Sequence, residues 1–171
     1  INDVPVSELR SRTEMQYVPA ATVDRWVEAK QRQLQERGFS AEVAAQAIRI
    51  RRSLIRALHA AGAGILLGSD APQIFNVPGF SLHRELELMV ASGLTPFEAL
   101  ESGTTNVAHF LGLKTGVIET GYEADLVMLD SNPLEDISST RRVHGVMVRG
   151  HWYSGADIEA LLRHFRLDGD D

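Results

Sequence analysis

One short apolar run in the middle of the chain stands out from its hydrophobic pattern. Ile65, Leu66 and Leu67 lie between two glycines, and Ser69 and Asp70 follow directly. A run this short, with no polar position in it, is typical of a strand buried on both faces of a parallel sheet. The carboxyl ends of such strands are where α/β proteins and barrels collect their reactive side chains. The pattern therefore predicts that Asp70 stands at the carboxyl end of a buried strand.

Helical periodicity surrounds this run on both sides. The predicted helices begin at Thr22, Ser40, Ser81, Thr95, Thr105 and Ala156. The signal at Thr95 is the clearest, because Thr95 can accept a bond from the Glu98 amide while the glutamate reaches back and Pro96 takes the first helical position. Residues 1 to about 21 show no period and are predicted to form a loop.

After Gly112 the pattern changes from helical to extended. Apolar runs at 117–118, 124–130 and 143–148 are separated by turn residues and predict short strands. Residues 149–151 predict a tight connection that leads into Trp152. A β-region and a final helix therefore follow the helical part of the chain.

Composition and charge exclude several classes of partner. The chain has 171 residues, 44% of them hydrophobic, with a net charge of −6 and a pI of about 5.5, which offers no basic field for nucleic acid or an anionic membrane. No stretch approaches the roughly 20 apolar residues of a membrane span. We expect a soluble protein, and a cytoplasmic or an exported location stays open. With six histidines and no cysteine, strong metal ligands must be histidines and carboxylates.

Two interpretations of Asp70 remain open on these grounds. The first is turn chemistry, because aspartate caps turns with its own side chain and the proline at position 72 fixes the backbone. The second is a metal ligand or proton shuttle that the strand aims into the mouth of a site. The residues that follow Asp70 distinguish between these two interpretations.

An ordered set of short motifs supports the second interpretation. These are Gly-Ser-Asp-Ala-Pro at 68–72, His-Arg-Glu-Leu at 83–86, Ala-Ser-Gly-Leu-Thr-Pro-Phe-Glu-Ala-Leu at 91–100, Thr-Asn-Val-Ala at 105–108 and Gly-Val-Ile-Glu-Thr-Gly-Tyr-Glu-Ala-Asp-Leu-Val at 116–127. In this order they resemble the carboxyl-terminal part of metal-dependent amidohydrolases. The branch most similar to them contains imidazolonepropionase-like and Xaa-Pro dipeptidase-like enzymes.

The resemblance implies an α/β fold, namely the carboxyl-terminal fragment of a (β/α)8 TIM barrel with strands of a small composite β-domain. Residues 1–112 would form the barrel segment with the eighth strand and its neighbouring helices. Residues 113–155 would belong to the β-domain, and residues 156–171 would form a terminal helix and tail.

The resemblance also implies a chemistry, the hydrolysis of a C–N bond in an amide, a dipeptide or a cyclic amide. In the family, one or two divalent metal ions, which we expect to be zinc, activate water at the barrel mouth. Asp70 matches the residue that binds metal and transfers the proton. His83, at the start of a helix just past the Asp70 loop, is a candidate for substrate contact, or else an ordinary polar residue at a helix start.

The chain departs from the family in the ligands that it carries. No two of its histidines are two residues apart, so the family's His-X-His pair is missing, and a full barrel takes about 250 residues. We therefore expect the chain to be inactive alone, and to pair with a missing amino-terminal barrel segment or with another copy of itself. The alternative is a non-catalytic interaction or assembly module in which Asp70 is a loop cap.

Overall fold

The structure, a computed structural model, describes residues 4–36 and 40–167. Its helices are α1 Val6–Arg10, α2 Ala20–Glu36, α3 Ala41–Ala60, α4 Phe80–Ala91, α5 Pro96–Ser102, α6 Thr105–Leu111 and α7 Gly155–Phe165. Its strands are β1 Leu126–Leu129, β2 Val143–Val148 and β3 His151–Ser154, with 3₁₀ turns at Thr13–Tyr17 and Ile137–Arg141. None of the described helices has the length and apolarity needed to cross a membrane. The last four residues of the predicted unit 156–171 lie outside the described residues.

The start of α5 follows its sequence signal. Thr95 Oγ1 accepts from the Glu98 amide at 3.2 Å, and Glu98 Oε2 accepts from the Thr95 amide at 2.7 Å. Both halves of the predicted capping box are therefore present, with Pro96 at the first helical position. Hydrogen bonds from the Thr95 backbone, the Thr95 hydroxyl and His59 lower the pKa of Glu98 to about 2, so the capping carboxylate is ionised throughout the physiological range.

The predicted strand at 64–68 belongs to no ladder among the described residues, and to that extent the prediction was wrong. Its main chain is held on one side only, where the Leu67 amide donates to the Ser102 carbonyl at 2.9 Å and the Asn106 side chain donates to the Ile65 carbonyl at 3.3 Å. Leu66 is 39% exposed. The physical reason is that a parallel strand acquires its ladder from neighbouring strands, and the described part of this chain supplies none.

The sheet lies entirely in the second half of the chain. β1, β2 and β3 pair antiparallel in that order, which confirms the strands expected within 124–130 and 143–148. The connection from β2 to β3 is a two-residue turn in which Arg149 and Gly150 both have positive φ, as tight hairpin turns require. Trp152 covers Gly145, where an added Cβ would come within 2.2 Å of the indole.

The strand predicted at 117–118 is absent from the structure. Gly116 has a φ of 85° and lies so close to the backbone of Thr104 that a Cβ would approach it to 2.8 Å. The segment is therefore packed against the turn between α5 and α6 instead of beside another strand, and Ile118 is left 89% exposed.

The chain is helical and packed over much of residues 4–21, which corrects the prediction of a loop there; residues 1–3 of that prediction lie outside the described residues. Leu9 of α1 is fully buried, and Met15 of the first 3₁₀ turn is 8% exposed. Both belong to a hydrophobic cluster with Val23, Phe75 and Val77. Leu9 and Met15 are isolated apolar residues without helical spacing around them. They are buried by contacts with Val23, Phe75 and Val77, which the sequence near residues 9 and 15 does not reveal.

A second hydrophobic cluster holds α4 and α5 together beneath the 64–68 run. Its buried members are Leu86, Met89, Leu94, Ala99 and Ile137. Ile65 and Leu67 pack against this cluster, so the run presents two of its side chains to the helices. The run is anchored on this one side through both its backbone and its side chains.

Replacing Phe75 by alanine is expected to lower the free energy of unfolding by about 3–5 kcal/mol, because it empties the centre of the first cluster. Urea denaturation followed by circular dichroism measures this change. The matched control is Phe110→Ala on α6, where the ring is 72% exposed and little stability should be lost. Equal losses in the two variants would show that Phe75 is not a central packing residue.

Candidate active site

Asp70 ends the 64–68 segment as an exposed carboxylate in an unusual backbone conformation. Its φ is 54°, in the left-handed region that aspartate tolerates better than most residues. The side chain is exposed, so it can reach a ligand without rearrangement. Non-glycine residues in this region are uncommon and are concentrated at functional sites.

The loop that follows Asp70 closes back on it. Gln73 and Asn76 exchange two backbone hydrogen bonds, at 3.2 and 2.9 Å, and so make a miniature hairpin. From this hairpin the Gln73 side-chain amide donates to Asp70 Oδ2. One oxygen of the Asp70 carboxylate thus accepts a hydrogen bond from a residue of the same loop.

Further polar contacts tie the loop to the start of α4. The Asn76 side chain donates to the Ser69 carbonyl, and the Ser81 hydroxyl donates to Ser69 Oγ at 2.9 Å. Ser81 is 3% exposed. The backbone just before Asp70 is therefore fixed by the hairpin on one side and by α4 on the other.

A buried aromatic ring anchors the tip of the hairpin. Phe75 is fully buried, and its ring meets Trp26 of α2 edge-on with centroids 5.6 Å apart. Its φ of 55° is strained for a bulky side chain and persists only because the surrounding packing determines it. Tyr17 stacks on Phe80 at 5.2 Å and continues this contact to the start of α4.

The metal implied by the family resemblance needs more ligands than this site offers. Within the described residues, 4–36 and 40–167, no group of three histidine, aspartate or glutamate side chains is arranged to hold a metal ion. A catalytic zinc usually has three protein ligands. Asp70 itself fits as a single ligand. It is exposed, one oxygen is held by Gln73, and Oδ1 accepts no hydrogen bond within the described part of the chain.

His83 points away from this carboxylate, toward the β-region. Its Nδ1 lies 3.1 Å from Thr140 Oγ1, and Thr140 already donates its hydroxyl proton to the Ile137 carbonyl at 2.9 Å. Nδ1 must therefore carry the proton and donate it to Thr140. The pocket that His83 lines, of about 560 Å³ between α4 and the sheet, does not include Asp70 in its lining.

The charge state of His83 is set mainly by burial. Burial lowers its pKa, the positive charge of Arg141 lowers it further, and Glu87 opposes both effects. Arg141 and Glu87 form an ion pair at 2.9 Å, so their opposite effects on the pKa of His83 partly cancel. The lowered pKa favours the neutral form of His83, and a neutral ring with its proton on Nδ1 is compatible with the hydrogen bond to Thr140.

The sequence singled out Asp70 as a candidate but not the residues that contact it. Gln73, Asn76 and Ser81 are ordinary polar residues for a loop and a helix start, and their partners are visible only in the structure. The one usable signal was the presence of Phe75 and Val77, two apolar residues that are both buried, in a loop that also contains two prolines and a glycine.

Comparison of the sequence with known families decides the context of this site. Residues 16–153 match the sequence model of the amidohydrolase family. The chain belongs to the amidohydrolase family. The resemblance noted from the motifs is thereby confirmed, and it covers the Asp70 loop, α4 and the sheet together.

Two curated amidohydrolase relatives show how much of a whole enzyme this chain represents. The chain is 41% identical over 81 residues to ochratoxinase from Aspergillus niger, a match that covers 45% of this chain and 16% of that protein. It is 37% identical over 105 residues to imidazolonepropionase from Deinococcus deserti, with 60% of this chain and 26% of that protein covered. The chain thus spans about a quarter or less of these relatives.

Two solved structures are similar in fold. Bottromycin amidohydrolase matches with a TM-score of 0.67 and 29% identity over 93% of this chain and 36% of that chain. A Xaa-Pro dipeptidase matches with a TM-score of 0.55 and 32% identity over 61% of this chain and 25% of that chain. The predicted fold class is confirmed: the described residues form an α/β portion of a TIM-barrel amidohydrolase, with an open three-stranded sheet.

The lowered pKa of His83 gives a testable pH dependence of stability. Because the unfolded chain binds this proton more readily, the free energy of unfolding should fall as pH drops below about 6.5, the ordinary histidine value. His83→Gln should flatten the slope between pH 7.5 and 5.5 in urea titrations, whereas His109→Gln, at an exposed site on α6, should leave it unchanged. Identical slopes for wild type and His83→Gln would contradict the assignment.

Proposed function

We propose that this chain carries the Asp70 side of the active site of a metal-dependent hydrolase that cleaves C–N bonds. The observation that carries the proposal is the exposed Asp70 carboxylate, held at the end of the 64–68 segment in a chain that belongs to the amidohydrolase family. Asp70 is its metal ligand and proton shuttle. The substrate is a small amide, a dipeptide or a cyclic amide.

The names of the similar structures support an amide-type substrate. One is a dipeptidase for Xaa-Pro substrates and another is an amidohydrolase of bottromycin. These names describe those proteins, and their substrates differ from each other. The class of bond, rather than any one substrate, is what they support for this chain.

Asp70 has one oxygen available for its proposed role, because its other oxygen accepts a hydrogen bond from within the loop. Oδ2 is held by the Gln73 amide, so the plane of the carboxylate is fixed, while Oδ1 is open. An ionised carboxylate oxygen accepts a proton from the attacking water and later gives it to the departing nitrogen. A divalent metal ion, when bound, lowers the pKa of the water toward neutrality.

The remaining metal ligands come from barrel residues outside the described part of this chain. Asp70 provides one donor, and one or two zinc ions in the complete site require several histidines or carboxylates more. The chain alone is therefore inactive in this proposal. The predicted substrate contact of His83 stays a prediction, and its free Nε2 would have to make it, because Nδ1 is engaged by Thr140.

The partner is the set of barrel strands that flank the 64–68 segment. Apart from the Leu67 amide and the Ile65 carbonyl, the backbone groups of 64–68 make no hydrogen bond to the described residues. Such unpaired groups are a template for strand pairing. The missing amino-terminal barrel segment satisfies them in the enzyme, and a second copy of the chain does so when that segment is absent.

The catalytic role of Asp70 is tested by Asp70→Ala in the full-length gene product. We expect loss of hydrolysis of a panel of N-acetyl amino acids and Xaa-Pro dipeptides, together with reduced zinc content by elemental analysis, at an unchanged melting temperature. Asp130→Ala is the control, because Asp130 is an exposed carboxylate whose ion-pair partner among the described residues is the exposed His144. Full turnover and full zinc content in Asp70→Ala would favour the loop-cap alternative.

The pairing of the 64–68 segment is tested on the 171-residue chain alone. We expect it to sediment as a dimer or larger assembly, and Leu66→Lys to shift it toward the monomer, because a charge on an open strand edge disfavours pairing. Leu111→Lys, on α6 where the leucine is 57% exposed, controls for added charge. A wild-type chain that is monomeric at every concentration would contradict the proposed pairing.

A further inference from the structure

One carboxylate on α4 has no partner within the described residues. Glu85 is half-buried, and its side chain makes no hydrogen bond or ion pair with the described part of the chain. Burial raises the pKa of Glu85. The charged residues beside it on α4 are both paired, Arg84 with Glu14 at 3.0 Å and Glu87 with Arg141 at 2.9 Å. The charge of Glu85 is therefore left uncompensated.

Glu85 lies between two contact points on one side of α4. Ser81 is one turn before it and Ser92 is two turns after it, so all three share a side of the helix. Ser81 is 3% exposed at one end, and the Ser92 carbonyl accepts from Arg56 of α3 at 3.2 Å at the other. Leu88 lies between these points and is 42% exposed. This side of α4 is thus open in the middle, where it presents a carboxylate beside an apolar side chain.

A basic side chain fits this combination of groups. The methylene stem of lysine or arginine packs along apolar surface while the charged end stays with its polar partner. A stem that packs on Leu88 therefore places a cation next to Glu85. An apolar or acidic group would instead bury the carboxylate further without pairing it, which is unfavourable.

We propose that the open side of α4 at Glu85 and Leu88 is a contact surface for the amino-terminal barrel segment, which supplies a lysine or arginine that pairs with Glu85. This inference rests on the proposed function, in which that segment completes the barrel. The surface adjoins the proposed contact at 64–68, because Ser81 on the same side of α4 donates to Ser69. Matches that cover only 16% and 26% of two whole relatives leave most of such an enzyme to supply the basic residue.

The test compares Glu85→Gln with Glu28→Gln, each in the full-length gene product and in the 171-residue chain alone. Glutamine keeps the size of glutamate and removes the charge, and Glu28 is an exposed glutamate on α2. The measurement is the melting temperature at pH 8, which favours the ionised carboxylate. Glu85→Lys is added as a charge reversal.

The inference predicts opposite behaviour in the two proteins. In the full-length product Glu85→Gln should lower the melting temperature by at least about 2 °C, because the partner cation loses its pair. Glu85→Lys should lower it further, because it sets two cations against each other. In the 171-residue chain Glu85→Gln should leave the melting temperature unchanged or raise it, because only an unpaired charge is removed. Glu28→Gln should change neither protein.

Two results would overturn the inference. If Glu85→Gln leaves the full-length product as stable as wild type, no cation pairs with Glu85. If it destabilises the 171-residue chain as much as the full-length product, the partner lies within this chain or a second copy of it. Neither readout involves catalysis or zinc. Full activity and zinc content in Asp70→Ala, with Glu85→Gln behaving as predicted, would therefore overturn the role of Asp70 and leave the contact at Glu85 standing.

Discussion

The structure depends on the burial of one aromatic ring, Phe75, in the loop that follows Asp70. Phe75 enters the cluster formed by the first helices of the chain, and its neighbours Gln73 and Asn76 reach Asp70 and the residue before it. The burial of apolar surface that orders the loop thus takes place around Phe75, away from the Asp70 carboxylate. An exposed Asp70 can be held rigidly because the residues three to six positions later hold it from a packed base.

This arrangement explains why the amino-terminal helices belong to the site although they carry none of its chemistry. Leu9, Met15 and Trp26 pack around Phe75, and Arg84 of α4 pairs with buried Glu14 at 3.0 Å. Together they fix the loop against α4. On the opposite side of Asp70 the 64–68 segment is held by hydrogen bonds to Ser102 and Asn106 and by the packing of Ile65 and Leu67 on the second hydrophobic cluster. The carboxylate therefore stands between a packed anchor and a segment that forms no ladder with the described residues.

Local signals in the sequence predicted most of the helices and two of the strands. The capping box at Thr95 and the turn at Arg149–Gly150 are encoded by adjacent residues, so they could be identified without the structure. The helices before Thr22 could not, because Leu9 and Met15 are buried by Phe75, some sixty residues later in the chain. The 64–68 run was predicted as a strand from its composition, but a ladder needs partners that no local pattern supplies.

The candidate site likewise combines a residue that the sequence indicated with residues that only the structure revealed. Asp70 was identified by its position after an apolar run and by the order of the family motifs, whereas Gln73 emerged only when the hairpin brought it back to Asp70. A polar residue three positions along a loop has many possible partners, and the choice among them depends on the positive φ values of Asp70 and Phe75. Sequence patterns do not encode those values at non-glycine residues.

A zinc-edge anomalous difference map from crystals of the full-length gene product would show whether Asp70 is a metal ligand. We expect a peak within bonding distance of the Asp70 carboxylate, with Oδ2 still accepting the hydrogen bond from the Gln73 amide. A map with zinc bound elsewhere and none within bonding distance of Asp70 would contradict it.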